Sequence, residues 1–133
     1  MNNLNLAGCA ILKDNSLLLL HRIKTDWFEL PGGKIDYGES AQIAAIRELK
    51  EELLCDVEII KTLGTKSFQE NGYEMNYKWF LATIKEGQSP QVGEKDKFSE
   101  FRYIPISNLK KYALSTNMQN FVKELDSGII SLK

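Results

Sequence analysis

The stretch that decides the fold is residues 31–55, which read PGGKIDYGESAQIAAIRELKEELLC. From Ser40 to about Leu54 the chain contains neither glycine nor proline, and apolar residues recur there at helical spacing. These apolar residues are Ile43, Ile46, Leu49 and Leu53. Ser40 is well placed as the N-cap, because its hydroxyl can accept a hydrogen bond from an N–H of the first turn. The pattern predicts one helix, with the four apolar residues docked on the core.

The same helix carries three glutamates, Glu48, Glu51 and Glu52, within an arc of about 100° on another face. Three like charges within one turn repel, and only Arg47 and Lys50 are close enough in sequence to compensate them. A solvated face on an amphipathic helix accounts for such residues when they are considered alone. A divalent cation is the alternative, because Mg²⁺ binds through a few carboxylates and is completed by water and substrate phosphates.

Pro31-Gly32-Gly33-Lys34 precedes the helix and ends a predicted strand that begins at Trp27. Proline removes a donor and two glycines permit positive φ, so we expect a special loop there. This loop would bring a cation and backbone carbonyls near the carboxylates, although a purely structural turn fits it as well. The chain lacks the phosphate-loop, dinucleotide and GxSxG patterns. We interpret the one histidine, His21, as a surface or strand residue rather than the base of a triad.

The rest of the chain reads as short strands with a second helix near the end. A hairpin is predicted from two apolar runs, 10–12 and 17–20, that flank a polar turn. Further strands are predicted at 57–60, 77–82 and 101–104, a turn at 69–72, a mobile loop near a site at 85–97, and a helix at 118–126 that stops near Gly128. Several strands are hairpin-linked, so we expect an α/β fold with a mixed sheet covered by helices.

Composition limits the class of protein. The 133 residues are expected to form one domain, 1–133, and 43% hydrophobic residues suffice for a real core. The net charge of −1 lacks the basic excess that nucleic acid polymers or anionic membranes attract, so we expect neither as a partner. No secretory signal or long apolar run is present, so a cytoplasmic location is expected. Cys9 and Cys55 are expected to be reduced and packed as small hydrophobes.

Seven residues of the central stretch match a known signature. They are Gly33, Glu39, Arg47, Glu48, Leu49, Glu51 and Glu52, and their spacing resembles the Nudix box. The resemblance implies the Nudix α/β/α sandwich and hydrolysis of a nucleoside diphosphate derivative with Mg²⁺ or Mn²⁺. One position departs, because Leu54 stands where the box usually has glycine. A leucine in a left-handed C-cap costs about 1–2 kcal/mol, so we expect the helix to run on toward Asp56 instead.

The resemblance also implies roles for single residues. Glu48 and Glu52 would be the main metal ligands, with Glu51 and a backbone carbonyl of Gly32 or Gly33 as further ligands. Arg47 would hold the glutamates in place, and Glu39 would act as an acceptor behind them. The general base would be Glu52 in the box, or a carboxylate of the later loop. We favour Glu94 over Glu100 as the loop base, because it lies several residues before the strand that Phe101 is expected to begin.

The substrate depends on residues outside the box. The Pro-Gly-Gly-Lys variant is similar to the branch that cleans nucleoside triphosphate pools, which implies a small-molecule nucleotide hydrolysed to a monophosphate and pyrophosphate. Lys34, Arg22 and Asn117 would bind this substrate, with Arg22 and Asn117 at the purine; a surface arginine and a helix cap are the structural alternatives. ADP-ribose or nucleotide-sugar hydrolysis and a catalytically silent nucleotide-binding module remain alternatives. Either a monomer or a homodimer is expected.

Overall fold

The structure is a computed structural model that describes residues 2–133. Four consecutive leucines, Leu17 to Leu20, show how its layers are arranged, because all four are buried in one strand. Successive strand side chains point to opposite faces, so both faces of the sheet must be covered here. Leu17 and Leu19 join one apolar core and Leu18 and Leu20 join a second, on the other side of the sheet.

The element bounds follow the predicted order. The strands are β1 (Asn2–Lys13), β2 (Ser16–Arg22), β3 (Trp27–Glu29), β4 (Gly32–Lys34), β5 (Val57–Glu70), β6 (Tyr73–Ile84) and β7 (Phe98–Pro105). The helices are α1 (Ala41–Leu53) and α2 (Thr116–Asp126), with a 3-10 helix at Ile106–Lys111. Among residues 2–133, no helix has the length and apolar character needed to cross a bilayer.

The sheet is mixed, as predicted. Its main strand order is β3-β2-β1-β6-β5, with β4 paired to β1 and β7 paired to β2. β1 runs parallel to β6, and the other pairs of named strands are antiparallel. Helix α1 contributes to the core on one face and α2 to the core on the other, so the predicted α/β/α sandwich is confirmed. Both cysteines are buried and reduced, as expected.

Helix α1 starts as predicted, with the Ser40 hydroxyl accepting a hydrogen bond of 3.1 Å from the Ile43 N–H. Its docked face differs from the prediction at two positions. Ile43 is 58% exposed, so its predicted place in the core is wrong. Glu52, expected on the face that presents carboxylates, is only 4% exposed and lies among the buried residues of the helix. The helix is therefore rotated so that one carboxylate enters the interior.

The helix does not run on toward Asp56, and that prediction is wrong. Leu54 is the C-cap, with φ 54° and ψ 34° in the left-handed region, and its N–H donates to the Lys50 carbonyl. Its side chain lies against Gly93: a Cβ built on Gly93 would be 3.0 Å from Leu54 Cδ2. Leu54 therefore ends the helix as a glycine would, but with a strained backbone.

Two further predictions are corrected by strand pairing. Gly32 to Lys34 do not form a loop; they form β4, which pairs with residues 6–8 of β1. The last strand begins at Phe98 rather than Phe101, because its register on β2 extends to Arg22. His21 lies in β2, as expected, and its ring contacts Ser99 and Asp26.

We expect Leu54→Gly to have a higher free energy of unfolding than Leu54→Ala by about 1 kcal/mol. Both variants lose the side chain that contacts Gly93, but only glycine relieves the left-handed strain. Chemical denaturation of both variants measures the difference. The matched control is Lys50, inside the same helix, where glycine should instead be less stable than alanine by about 1 kcal/mol. Equal stability of the two Leu54 variants would contradict the left-handed cap.

Candidate active site

One cavity of about 510 Å³ brings together most of the predicted site residues. The predicted residues in its lining are Arg22, Gly32, Gly33, Lys34, Glu48, Glu51, Glu52, Glu94 and Asn117. Arg47 and Glu39 lie behind the lining, and Glu100 does not reach it. The cavity has an acidic end formed by α1 and the 85–97 loop, and a second end formed by β5, β6 and the start of α2.

The two glycines of β4 let the strand approach the acidic helix closely. A Cβ on Gly33 would lie 2.5 Å from the Glu48 carboxyl carbon, and a Cβ on Gly32 would lie 2.4 Å from the Ala7 carbonyl oxygen. Gly32 also has a φ of 153°, which side-chain-bearing residues rarely adopt. Its N–H donates to Glu52 Oε1 at 2.8 Å. The strand therefore orients the buried Glu52 carboxylate and leaves room for that of Glu48.

Arg47 joins the other acidic side chains. Its Nε donates to Glu39 Oε2 at 2.7 Å and its Nη2 to Glu39 Oε1 at 2.9 Å. Its Nη1 donates to Glu48 Oε1 and Glu51 Oε1, both at 3.1 Å, and its Nη2 donates to the Lys34 carbonyl at 3.0 Å. These bonds, led by those to Glu39, raise the pKa of Arg47, and the same contact lowers the pKa of Glu39. Arg47 thus links helix and strand, as its predicted positioning role requires.

Burial and neighbouring charges disfavour the ionised form of the two carboxylates nearest the interior, Glu48 and Glu52. Burial raises the pKa of Glu52 well above its usual range, and the charges of Glu48, Glu29 and Glu94 raise it further against the opposing Gly32 hydrogen bond. Burial is also the main cause that raises the pKa of Glu48, ahead of the opposing hydrogen bond from Arg47. Desolvation and mutual repulsion therefore both disfavour the ionised form of these carboxylates, and a bound cation would relieve both.

The loop that carries Glu94 is fixed to the end of α1. The Gln91 N–H donates to the Leu53 carbonyl at 2.8 Å, and the Gly93 N–H donates to the Glu52 carbonyl at 2.9 Å. A Cβ on Gly93 would lie 2.1 Å from the Glu51 carbonyl oxygen, so the backbone contact requires glycine. Glu94 consequently faces the acidic end of the cavity, with Lys97 Nζ 3.3 Å from its Oε2.

Glu100 takes a different position. It lies inside β7, and its Oε1 accepts a hydrogen bond of 2.7 Å from Arg102 Nε. The structure therefore brings Glu94, and not Glu100, to the cavity.

The sequence analysis assigned no site role to three residues around the predicted binding residues Arg22 and Asn117. They are Glu29, Trp27 and Trp79. Glu29 accepts hydrogen bonds from Arg22 Nε at 2.6 Å, from Arg22 Nη2 at 2.9 Å and from Trp27 Nε1 at 2.8 Å. Asn117 is 8% exposed and receives a hydrogen bond from Trp79. Side chains alternate between the two faces of a strand, so the sequence could have placed Glu29 on the same face as Trp27. No sequence pattern could have paired residues 79 and 117.

The donor set suits a hard divalent cation. Carboxylates of Glu48, Glu51 and Glu52 line the same end of the cavity, and such a cation takes oxygen ligands while keeping several waters. Within residues 2–133, no three His, Cys, Asp or Glu side chains already converge as a complete metal site. Arg47 Nη1 lies between Glu48 Oε1 and Glu51 Oε1, so each carboxylate keeps its second oxygen outside that contact. The residues fit a cation that is completed by water and phosphate.

Comparison with known proteins agrees with the fold and the box. The family model of the NUDIX domain matches residues 4–125. An ADP-ribose pyrophosphatase of Methanocaldococcus jannaschii is 32% identical, with 77% of this chain and 62% of that relative's length covered. An RNA pyrophosphohydrolase of Pelagibacter ubique is 32% identical, with 79% and 78% covered.

A solved structure shares the fold over nearly the whole chain. The crystal structure of a MutT NUDIX hydrolase from Burkholderia pseudomallei superimposes with a TM-score of 0.85 at 24% identity. The superposition covers 94% of this chain and 99% of that one. Since the family model matches residues 4–125 and the box residues Gly33, Glu48, Glu51 and Glu52 line one cavity, this chain belongs to the Nudix hydrolase family, whose named relatives act on pyrophosphate bonds of nucleotide derivatives.

Proposed function

We propose that this protein hydrolyses a nucleoside triphosphate to a monophosphate and pyrophosphate, with Mg²⁺ or Mn²⁺. The observation that carries the proposal is a single cavity with two unlike ends. One end is lined by the carboxylates of Glu48, Glu51, Glu52 and Glu94, and the other is partly apolar and contains the buried amide of Asn117. A charged phosphate chain with its cation matches the first end, and a base matches the second.

Glu48 and Glu52 would hold the cation, with Glu51 and a backbone carbonyl of Gly32 or Gly33 as further ligands. When bound, the cation would neutralise phosphate charge and lower the pKa of an attacking water. Arg47 keeps two of the carboxylates aimed at the cavity through its hydrogen bonds. Lys34 lines the same wall, and its ammonium would bind the phosphate chain.

Glu94 is proposed as the general base that takes the proton of the water. Its loop is tied to the end of α1 and it lines the same acidic end without belonging to the proposed ligand set, so it could accept the proton while Glu48 and Glu52 hold the cation. Arg22 and Asn117 would fix the base end of the substrate. If the nucleobase is held at a fixed distance from the carboxylates, that distance determines which phosphorus of the substrate meets the attacking water.

The relatives leave other substrates to be tested. ADP-ribose is the named substrate of one relative and RNA of another, so both ADP-ribose and the 5′ end of an RNA belong in a substrate panel. A silent nucleotide-binding module is disfavoured, because Glu48, Glu51 and Glu52 are all present. The monomer or homodimer state and the cytoplasmic location stay predictions.

A substrate panel tests the proposed reaction. Nucleoside triphosphates, ADP-ribose, a nucleotide sugar and 5′-triphosphorylated RNA are incubated with Mg²⁺, and products are followed by phosphorus NMR in ¹⁸O-labelled water. We expect monophosphate and pyrophosphate from a triphosphate, with label in one of these and not in orthophosphate. Chelation with EDTA should abolish turnover. Faster turnover of ADP-ribose than of any triphosphate would assign the protein to ADP-ribose hydrolysis instead. Unchanged turnover after chelation would contradict the proposed metal dependence.

Glu52→Gln should lower kcat at least about a hundredfold, because a charged ligand becomes neutral. Without metal the variant should remain folded, since Gln Oε1 can still accept the Gly32 N–H. Folding raises the pKa of Glu52. The free energy of unfolding of the metal-free wild type should therefore decrease as the pH rises from the pKa that Glu52 has in the unfolded chain to above the pKa that it has in the folded protein.

The Glu52→Gln variant should lose that part of the pH dependence. Thermal denaturation in EDTA between pH 5 and 8 measures it, with Glu58→Gln at an exposed position of β5 as the matched control. Near wild-type kcat in the folded Glu52→Gln variant would reject the ligand assignment.

The two loop carboxylates give a paired test of the base. Glu94→Gln should lower kcat by about 10²-fold with little change in the fold, as removal of a general base does. Glu100→Gln should keep wild-type kcat, because its carboxylate contacts Arg102 outside the cavity. Steady-state kinetics of both variants across pH decides the question. A larger loss in Glu100→Gln than in Glu94→Gln would reverse the assignment.

A further inference from the structure

A tyrosine that lines the cavity extends from one strand of the sheet across a second strand to a third. Tyr77 belongs to β6 and pairs with Leu6 of β1, so Gly8, two residues further along β1, lies on the same face. A Cβ built on Gly8, or on Gly32 of β4, would lie 2.5 Å from the Tyr77 hydroxyl oxygen. Gly8 and Gly32 are themselves paired in the sheet. The phenol therefore crosses β1 along a path that two paired glycines keep open.

The hydroxyl of Tyr77 has no hydrogen-bond partner in the part of the chain that the structure describes. Tyr77 as a whole is only 7% exposed, yet no fully enclosed side-chain nitrogen or oxygen in residues 2–133 lacks a partner. The hydroxyl is consequently open to the cavity that Tyr77 lines. A buried tyrosine usually satisfies its O–H, so an unpartnered one that faces a cavity indicates contact with a ligand.

This hydroxyl lies where the two ends of the cavity meet. Met75, two residues before Tyr77 on β6, lines the end away from the α1 carboxylates. Gly32, against which the hydroxyl lies, donates its N–H to Glu52 at the acidic end. Tyr77 therefore starts at the partly apolar end and places its polar atom beside the acidic one.

The neighbouring donors are already used within the protein. Arg47 donates through Nε, Nη1 and Nη2 to three glutamates and to a backbone carbonyl, and the Gly32 N–H donates to Glu52. Ionised phosphate oxygens accept hydrogen bonds and need donors or cations around them. A phenol is neutral near pH 7 and has one O–H to donate. Tyr77 thus offers a phosphate chain a donor that Arg47 and Gly32 do not.

We propose that the Tyr77 hydroxyl donates a hydrogen bond to the phosphate next to the nucleoside of the substrate. A nucleotide with its base at the partly apolar end and its phosphate chain at the acidic end crosses the boundary with its ribose and this first phosphate. Of these two groups the phosphate is charged, and hydrogen bonds to charged groups contribute more than those between neutral groups.

The contact deepens the proposed function and rests on it for the orientation of the nucleotide. It does not depend on the group that follows the first phosphate, because nucleoside triphosphates, ADP-ribose and the 5′-triphosphorylated end of an RNA all carry a phosphate next to the nucleoside.

Binding without turnover tests the contact. Wild type and Tyr77→Phe are titrated calorimetrically with AMP and GMP in the presence of Mg²⁺, and with adenosine and guanosine. We expect Tyr77→Phe to weaken binding of both monophosphates at least about tenfold and to leave binding of the nucleosides unchanged. Tyr103→Phe removes a hydroxyl from β7 outside the cavity lining and is the matched control, which should bind as the wild type does.

Three results of these titrations would overturn the proposal. They are unchanged binding of the monophosphates by Tyr77→Phe, an equal loss of affinity for the nucleosides, and no binding of either monophosphate by the wild type up to millimolar concentration.

Protein stability distinguishes a ligand contact from a structural role. Because the hydroxyl has no partner in the chain, Tyr77→Phe should have a free energy of unfolding at least as high as that of the wild type. Chemical denaturation measures it. A less stable variant with unchanged nucleotide binding would assign the hydroxyl a structural role and overturn the proposal.

Turnover separates this proposal from the proposed function. We expect kcat/KM of Tyr77→Phe to fall at least about tenfold for whichever member of the substrate panel the wild type hydrolyses. If that substrate is ADP-ribose, the proposed function is contradicted, and the same loss in the variant still supports the Tyr77 contact. Wild-type kcat/KM in Tyr77→Phe would overturn the contact and leave the proposed function standing.

Discussion

The buried carboxylate of Glu52 is the constraint on which the site depends. It is 4% exposed and contacts the Gly32 N–H of β4, so helix α1 must lie close to that strand. That approach leaves no room for a Cβ on Gly33, whose place is taken by the Glu48 carboxylate. A buried carboxylate is expensive unless it is paired or binds a cation. The short strand, its glycines and the acidic face of α1 are therefore one structural unit.

Arg47 reduces the repulsion between the carboxylates of this unit before any ligand binds. It donates to Glu39, Glu48 and Glu51 and also to the backbone of Lys34, so one cation neutralises part of the acidic face and ties it to β4. Glu52 lies outside that network and depends on a single backbone donor. The residue with the greatest desolvation is thus the one with the least compensation. Such an imbalance is typical of functional sites, where stability is given up for a charge that a ligand requires.

The end of α1 shows a second compromise. Leu54 adopts a left-handed backbone that glycine would adopt without strain, yet its side chain packs on Gly93 of the loop that carries Glu94. The same loop donates two backbone hydrogen bonds to the last carbonyls of α1. One helix end therefore organises both the carboxylates of the helix and the carboxylate of the loop. The strain of the cap is offset by contacts that hold this loop in place.

Local patterns in the sequence determined the helix start at Ser40, the succession of most strands along the chain, the strand at Leu17 to Leu20 and the spacing of the box, because each depends on neighbouring residues alone. The family and the acidic cluster followed from the same spacing. Tertiary structure alone decided that Glu52 is buried while Ile43 is exposed, because the rotation of α1 is set by its contact with β4. It also decided the left-handed Leu54 and the Trp79–Asn117 pair, which unite residues distant in sequence. Long-range packing outweighs local preference at these positions.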